Sequence, residues 1–342
     1  MDDFDRICDF SNLYTAHLMT RLGKRHKAEV IRFESDLGHK LTQLSRMLKE
    51  DRYLPVKYYH FKVYEPKERN IHALRYPDRV VQRCLCDQVL LPVFEPRLIY
   101  DNAACRKGKG VHFSIGRLSR FMREHFASHG AGGYVLKCDI KRYFQSIDHE
   151  ILKQLLAPLP FSDRTLRLLF GILDSFEDYP GQGLPLGNQS SQWFALYYLD
   201  KVDRLIKEKL HIKHYVRYMD DFVLLHPEKS YLRDAEKQIE KLLKEQLGLA
   251  LNEKTQLSPL DCGVRYLGFS FHLTGTGKIV RKLLPAAKKR ILKASALLDA
   301  RLSIGEISVE DVAPVLSSYM GHMKHGHCQG LERHLSKVLA MQ

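Results

Sequence analysis

The order of apolar and polar residues predicts helices over much of the chain and strands in a few short segments. Leucines recur every three to four residues over residues 36–49, a spacing typical of an amphipathic helix. Similar patterns predict helices over residues 79–94, 111–126 and 230–247. Residues 56–73 instead alternate aromatic with polar side chains, which favours a hairpin of two strands. A chain of mixed helices and strands is therefore expected.

Two apolar runs on either side of an acidic pair predict a further hairpin. Residues 215–217 and 222–225 are β-prone, and the tetrapeptide Tyr-Met-Asp-Asp at 218–221 joins them where a tight turn is expected. Such a turn would hold Asp220 and Asp221 rigidly, although neighbouring like charges repel and raise each other's pKa. A divalent cation resolves that conflict, and hard carboxylate oxygens suit Mg²⁺. A solvated turn that carries two acids is the alternative.

A third carboxylate strengthens the metal-site hypothesis. Residues 134–140 resemble a strand with Asp139 near its end, and Asp148 is placed to cap a helix that begins around residue 149. One acid at a strand end and two on a neighbouring hairpin can hold two metal ions about 3.5–4 Å apart. Such a pair stabilises the attacking and leaving oxygens of an in-line phosphoryl displacement. The predicted chemistry is nucleotidyl transfer, with catalysis mainly by positioning and charge stabilisation.

Five segments, in this order, resemble the motifs of reverse transcriptases of the bacterial and phage type. They match a fingers segment that clasps the triphosphate, the two catalytic palm motifs, a later palm motif with a lysine, and the primer grip; their positions are residues 69–82, 139–148, 218–221, 248–255 and 266–269. The similarity extends from about residue 56 to residue 271. Several motifs in the right order are far more specific than any one of them.

The resemblance implies an α+β right-hand polymerase fold with fingers, a palm that carries an antiparallel sheet and the catalytic hairpin, and a helical thumb. The expected domains are an N-terminal helical extension at 1–55, fingers at 56–133, a palm at 134–275 with a fingers-associated insertion at about 150–185, and the thumb at 276–342. The thumb would contact the template–primer duplex through its phosphates.

The resemblance also implies roles for individual residues. The catalytic set is Asp139, Asp220, Asp221 and Lys254, and the metal set is Asp139, Ile140, Asp220 and Asp221. The dNTP set is Lys67, Arg69, Leu186 and Phe144, the last as a steric gate against a ribose 2′-hydroxyl. The template and primer set is Gly187, Gln192, Tyr218, Met219, Leu267 and Gly268. The alternatives are a core phenylalanine for Phe144, an exposed basic hairpin for Lys67 and Arg69, and a solvated lysine for Lys254.

One loop departs from the usual family pattern. Most reverse transcriptases carry Gln before the loop glycine and Pro after the serine, whereas this chain has Leu186 and Gln192. That pairing resembles the enzymes of diversity-generating retroelements, which implies error-prone copying concentrated at template adenines. An apolar group beside the nucleotide discriminates poorly between bases, whereas a hydrogen-bonding site rejects mismatches strongly. In the alternative interpretation, Leu186 merely packs beneath the loop.

Composition agrees with a nucleic-acid partner. The 342 residues include 54 basic and 40 acidic ones, a net charge of +14 that favours a polyanion. No run of about 18 apolar residues is present, so no membrane span is expected. Seven cysteines without a framework spacing, and an acidic start unlike a secretion signal, favour a reducing cytoplasm.

The expected partners are template RNA, an RNA/DNA primer–template, dNTPs and two Mg²⁺ ions, with Mn²⁺ as a possible substitute. The retroelement resemblance adds a small basic accessory protein that assembles as an oligomer. A group II intron-like or phage-defence-associated reverse transcriptase remains an alternative, as does a non-catalytic RNA-binding scaffold with a palm fold. The C-terminal residues His322, His325, His327 and Cys328 match no structural zinc spacing, so phosphate contact or simple exposure is the favoured interpretation.

Overall fold

The computed structural model describes residues 2–55, 58–64 and 68–340, with side chains as far as residue 336. The chain divides into two compact units, each assembled from three segments. The first unit comprises the chain up to residue 100 together with residues 140–205 and 239–251. The second comprises residues 101–139, 206–238 and those from 252 onward.

The chain up to residue 100 is mainly helical. Its elements are α1 (Asp3–Cys8), α2 (Phe10–Thr20), α3 (Ala28–Glu34), α4 (Leu37–Lys49), β1 (Tyr58–Val63), β2 (Arg69–Leu74), α5 (Tyr76–Leu85) and α6 (Leu91–Phe94). A π-helical turn, Cys86–Leu90, joins the last two helices. The predicted helices at 36–49 and 79–94 are confirmed, as is the hairpin, whose strands pair antiparallel from Tyr58 with Leu74 to Val63 with Arg69.

The central part of the chain supplies the main sheet. Its elements are α7 (Val111–His129), β3 (Tyr134–Cys138), α8 (His149–Leu156), α9 (Asp163–Asp174), α10 (Gln189–Tyr198), α11 (Asp200–Arg204), β4 (His214–Tyr218), β5 (Asp221–His226), α12 (Lys229–Leu247) and β6 (Gln256–Pro259). Asp148 caps α8 as predicted, since its Oδ1 accepts a hydrogen bond of 3.0 Å from the Ile151 N–H. The predicted helices at 111–126 and 230–247 and the strand from residue 134 are also confirmed.

The C-terminal part begins with strands. Its elements are β7 (Val264–Tyr266), β8 (Phe269–Leu273), β9 (Ile279–Leu283), α13 (Pro285–Ser303), α14 (Val309–Met323) and α15 (Gln329–Ala340). β9 pairs with β8 inside the segment expected to be wholly helical, so the helices begin only at Pro285. Proline suits the first turn of a helix because its missing N–H is not needed there.

The four-stranded sheet of the second unit has the order β4-β5-β3-β6, with every neighbouring pair antiparallel. The core of that unit joins α7, through Leu118 and Phe121, to the sheet residues Val135, Val216 and Val223. Burial of each side chain of this size contributes about 1.5–3 kcal/mol to the stability of the fold. The sheet is therefore a stable support for the loops at its edge. Among the described residues, no helix combines the length and hydropathy that a membrane crossing requires.

Candidate active site

The register of the sheet brings acidic residues from two strands to one edge. β3 pairs antiparallel with β5 as far as Cys138 with Phe222, so one further step places Asp139 across from Asp221. On the other side of β5, Tyr218 pairs with Asp221 and closes the hairpin. Residues that face each other across such strands have Cβ atoms about 4.5–5.5 Å apart. The acids that the sequence placed in separate motifs therefore meet in the second unit.

The β4–β5 hairpin has the two-residue turn that the sequence predicted, formed by Met219 and Asp220. Met219 has a φ of 57°, whereas Asp220 has no positive φ, the pattern of a type II′ turn. Glycine usually occupies the first position of this turn, and another residue there is strained by about 1–3 kcal/mol. Such a conformation persists only where the surrounding structure holds it.

Asp221 lies in an electrostatic environment that favours a bound cation. Its Oδ1 is buried and has no hydrogen-bond partner, although the Lys137 Nζ lies 3.5 Å away. Burial is the main cause that raises the pKa of Asp221 to about 7; the charges of Asp139 and Asp220 act in the same direction, and Lys137 opposes them. A divalent cation would relieve both the like-charge repulsion and the unsatisfied oxygen.

The acidic residues fit a hard divalent ion. Carboxylate oxygens are the ligands that Mg²⁺ takes from proteins, and it completes its shell with water and substrate phosphates. Within the described ranges, no three His, Cys, Asp or Glu side chains already converge into a ligand shell. Mg²⁺ bound together with a nucleotide would take part of its coordination from the phosphates.

The end of β3 is anchored through main-chain bonds. The carbonyl of Asp139 accepts a hydrogen bond of 2.7 Å from the Asn252 N–H. Ile140 is buried and forms an isolated antiparallel bridge with Leu251. Lys254 is exposed on the following turn, where its N–H donates to the Asn252 Oδ1 at 3.1 Å. The segment that carries the predicted lysine thus also holds the strand end that carries Asp139.

The predicted steric gate lies in the first unit. Phe144 belongs to a short 3₁₀ helix, Tyr143–Ser146, and its carbonyl accepts a hydrogen bond of 2.8 Å from the Leu184 N–H. Its ring is half-buried and meets the Tyr143 ring edge-on, with the centroids 5.8 Å apart. Phe144 is therefore not a residue of the interior core.

The loop that distinguishes the subfamily lies against β2. The carbonyl of Leu186 accepts a hydrogen bond of 2.9 Å from the His72 N–H. Gly187 has a φ of 118°, and a Cβ at this position would lie 3.1 Å from the Ile71 Cγ2. Only glycine adopts this backbone without strain. The loop thus holds Leu186, which is half-buried, in a defined position beside the fingers hairpin.

Of the three other predicted contacts to dNTP or template, two lie within the described residues and are exposed. Arg69 is exposed at the first position of β2, and Gln192 is exposed in the first turns of α10. Lys67 lies outside the described residues. The structure groups Arg69, Phe144, Leu186, Gly187 and Gln192 in the first unit, and the acids and Lys254 in the second.

The predicted primer grip is the turn between β7 and β8. Tyr266 pairs with Phe269, and both turn residues, Leu267 and Gly268, have positive φ, 46° and 87°. That is the pattern of a type I′ hairpin turn, which suits the twist of its strands. Tyr266 is buried, and its hydroxyl lies 2.7 Å from the Ser114 Oγ. The turn is therefore firmly supported from within the second unit.

Comparison with known families decides the identity of the fold. Residues 63–271 match the family described as reverse transcriptase (RNA-dependent DNA polymerase). The chain belongs to the reverse transcriptase family. The matched span contains all three acids, the loop with Leu186 and the turn with Leu267. The right-hand polymerase fold expected from the sequence is confirmed.

A solved structure supports the same fold at low identity. The apo telomerase of Candida tropicalis, truncated from its C-terminal domain, aligns with a TM-score of 0.50 at 13% identity, over 67% of this reverse transcriptase and 55% of that chain. The Candida albicans telomerase in complex with a TWJ fragment of telomeric RNA aligns with a TM-score of 0.49 at 15% identity, over 81% and 55%. The chain thus spans about half the length of these telomerases. No curated protein matches it.

Two residues at the site were not predicted. Lys137 lies in β3 two positions before Asp139, a spacing that places side chains on one side of an extended chain and that alone could have indicated the pair. Arg217 is fully buried on β4, and its Nη1 donates to the carbonyl of Met219 at 3.0 Å. Nothing in an arginine beside an apolar run indicates burial, because this residue type is usually exposed.

Proposed function

We propose that this protein is an RNA-directed DNA polymerase that uses Asp139, Asp220 and Asp221 to hold two Mg²⁺ ions, with Mn²⁺ as a possible substitute. The observation that supports it best is the strand register, which sets Asp139 across from Asp221 at one sheet edge, beside Asp220 of the turn; the buried Asp221 Oδ1 has no hydrogen bond, and the pKa of Asp221 is raised to about 7. Membership of the reverse transcriptase family supports the same reaction.

In the reaction, the primer 3′-hydroxyl attacks the α-phosphate of a dNTP and pyrophosphate leaves. The bound ions would supply charge stabilisation for the attacking and leaving oxygens. The carboxylates are held in place by the hairpin register and by the bond from Asn252 to the Asp139 carbonyl. Lys254 would bind or protonate the leaving pyrophosphate, and Phe144 would exclude a ribose 2′-hydroxyl. Catalysis then rests mainly on positioning.

Primer extension on an RNA template tests the assignment. With Mg²⁺ and dNTPs, the wild type should extend the primer, and Asp220→Ala should lose extension by at least about 10³-fold because its metal site is incomplete. Asp234→Ala, which removes an exposed acid of α12, is the matched control and should keep wild-type activity. Circular dichroism should show that both variants fold. Undiminished extension by Asp220→Ala would disprove the site.

We further propose that the enzyme belongs to a diversity-generating retroelement and makes error-prone cDNA from a template-repeat RNA, with errors concentrated at adenines. Leu186 and Gln192 support this, since they replace the usual Gln and Pro. The half-buried Leu186 offers the base no hydrogen-bonding side chain, and apolar pockets discriminate weakly. In this proposal the partners are dNTPs, an RNA/DNA primer–template and a small basic accessory oligomer, all in the cytoplasm.

The subfamily proposal is tested by sequencing cDNA. Leu186→Gln should lower misincorporation opposite template adenine by about tenfold, because an amide restores hydrogen-bond discrimination. Leu184→Met, a buried change in the same loop, is the control and should leave the error spectrum unchanged. An unchanged adenine error rate in Leu186→Gln would instead favour a group II intron-like or phage-defence enzyme. A wild type inactive under all conditions would favour the RNA-binding scaffold.

A further inference from the structure

Arg217 is the bulkiest of the fully buried side chains in the described parts of the chain. It lies on β4 directly before Tyr218, with an exposed fraction of 0%. Removing a guanidinium from water is costly unless its N–H groups find partners. A hydrophobic residue at this position would avoid that desolvation cost. The presence of arginine therefore indicates that its guanidinium has a specific role.

Neighbouring backbone fixes the position from which this side chain extends. The Arg217 N–H donates to the Asp101 carbonyl, and the Ala103 N–H donates to the Arg217 carbonyl, each at 3.0 Å. Asn102 and Arg217 thereby form a parallel bridge on the open side of β4. Asp101 is held in turn by an ion pair with Arg117 of α7. Both backbone groups of Arg217 are therefore bonded on the open side of β4, and Phe222 of β5 pairs with this residue on the other side.

The guanidinium acts on the strained part of the hairpin. Its Nη1 donates to the carbonyl of Met219, the residue that holds a φ of 57° in the two-residue turn. That carbonyl belongs to the peptide group that joins Met219 to Asp220. Rotating this peptide would change the ψ of Met219 and the φ of Asp220, break the bond to Arg217 and redirect Asp220.

We propose that Arg217 is a positioning residue, whose guanidinium holds the Met219–Asp220 peptide and so directs the Asp220 carboxylate toward the metal ions. The inference rests on the proposed function of Asp220 as a metal ligand. Arg217 itself touches neither substrate nor metal in this role. It acts through the turn.

Metal binding without substrate gives a readout that separates positioning from folding. We expect Arg217→Met to raise the Mn²⁺ dissociation constant, measured by electron paramagnetic resonance titration, about tenfold, as is common for residues coupled by direct contact. Arg217→Lys keeps the charge and places its N–H donors on one nitrogen at the end of a flexible stem, so it should bind Mn²⁺ more tightly than Arg217→Met. Extension by these variants should recover in part at high Mg²⁺.

A second substitution tests the link to backbone strain. Glycine accepts positive φ freely, so Met219→Gly removes the need for the restraint. In the Met219→Gly background, Arg217→Met should change the Mn²⁺ dissociation constant by less than about threefold. An equal loss in both backgrounds would overturn the proposal. If Arg217→Met does not fold, Arg217→Lys is compared in the same two backgrounds, with the same outcomes deciding.

A matched buried arginine controls for general loosening of the unit. Arg106 is also buried, and its Nη1 donates to the Asn102 carbonyl at 2.9 Å. Arg106→Met should lower the melting temperature without weakening Mn²⁺ binding, and weakening equal to that of Arg217→Met would contradict the proposal. Active Asp220→Ala would refute the proposed metal site itself. Inactive Asp220→Ala with unchanged Mn²⁺ binding in Arg217→Met would refute only the role of Arg217.

Discussion

Asp221 shows how the surroundings of a single residue define what the site requires. The sequence indicates two adjacent acids on a turn, a pattern that also suits a solvated surface. The structure adds burial and the charges of Asp139 and Asp220, which raise the pKa of Asp221 to about 7 against the opposing charge of Lys137, and it shows an Oδ1 without a hydrogen bond. No spacing along the chain gives these quantities, because they depend on the pairing of β3 with β5.

At the same scale, Phe144 gives a prediction about sugar selection. Its ring is half-buried, so a smaller side chain should change the pocket without disrupting the core. Phe144→Val should raise incorporation of rNTPs relative to dNTPs about 10–100-fold, because a smaller side chain leaves space for the 2′-hydroxyl. Exclusion of one small group by pocket shape typically gives discrimination of about this size. Single-nucleotide incorporation with each sugar measures it.

Tyr143 supplies the control for this substitution. Its ring is adjacent but buried, and its hydroxyl donates to the Ala195 carbonyl. Tyr143→Phe should lower stability and leave sugar selection unchanged. If Phe144→Val excludes rNTPs as well as the wild type does, Phe144 is not the gate.

At the scale of elements, the sequence predicts those whose pattern is local. The alternation beside residues 218–221 predicts the hairpin, and Asp148 marks the start of α8. β9 was missed because its five residues lie in a charged segment and depend on pairing with β8. The burial of Arg217 was missed for a related reason, since it depends on tertiary packing; the main chain of Arg217 pairs with the distant residues Asp101 and Ala103.

Strand β4 also carries a pH-dependent contribution to stability. His214 is buried with its Nε2 3.5 Å from the Glu124 Oε2, and burial lowers its pKa to about 4 despite that carboxylate. Folding therefore favours neutral His214, whereas the unfolded chain protonates near the ordinary pKa of about 6.5. The stability that neutral His214 provides is complete above that pH and declines as the pH falls toward 4.

The measurement is the pH dependence of unfolding. Denaturant titrations between pH 7 and pH 4.5 should show that the free energy of unfolding of the wild type decreases as the pH falls. His214→Gln should reduce the slope of that free energy against pH by up to about 1.4 kcal/mol per pH unit. His129→Gln, an exposed histidine of α7, is the control and should keep the wild-type slope. A steeper loss in His214→Gln would contradict the assignment.

At the scale of the whole molecule, the net charge of +14 favours electrostatic binding of nucleic acid, with an affinity that depends on salt. Affinity for a primer–template should fall at least about tenfold between 50 and 200 mM salt, because bound phosphates release counterions. Lys289 and Lys293 are exposed on α13, in the predicted thumb. Replacing both with Ala should reduce the slope of log affinity against log salt by about 1–2.

A pair of exposed lysines elsewhere separates a contact from general charge. Lys241 and Lys244 lie on α12, and replacing both with Ala removes the same net charge. Fluorescence anisotropy with one labelled duplex should show a smaller change in slope for this pair. Equal slopes for the two double variants would mean that α13 makes no specific phosphate contact.

We propose that acids next to two separate strands form one catalytic metal site for DNA synthesis on RNA. Single-turnover primer extension on an RNA template, with Mg²⁺ and dNTPs, compares the wild type with Asp139→Asn, because Asp139 follows β3 and is not part of the hairpin. The wild type should extend the primer, and the folded variant should lose extension by at least about 10³-fold, as Asp220→Ala should. Extension by Asp139→Asn within twofold of the wild type would contradict it.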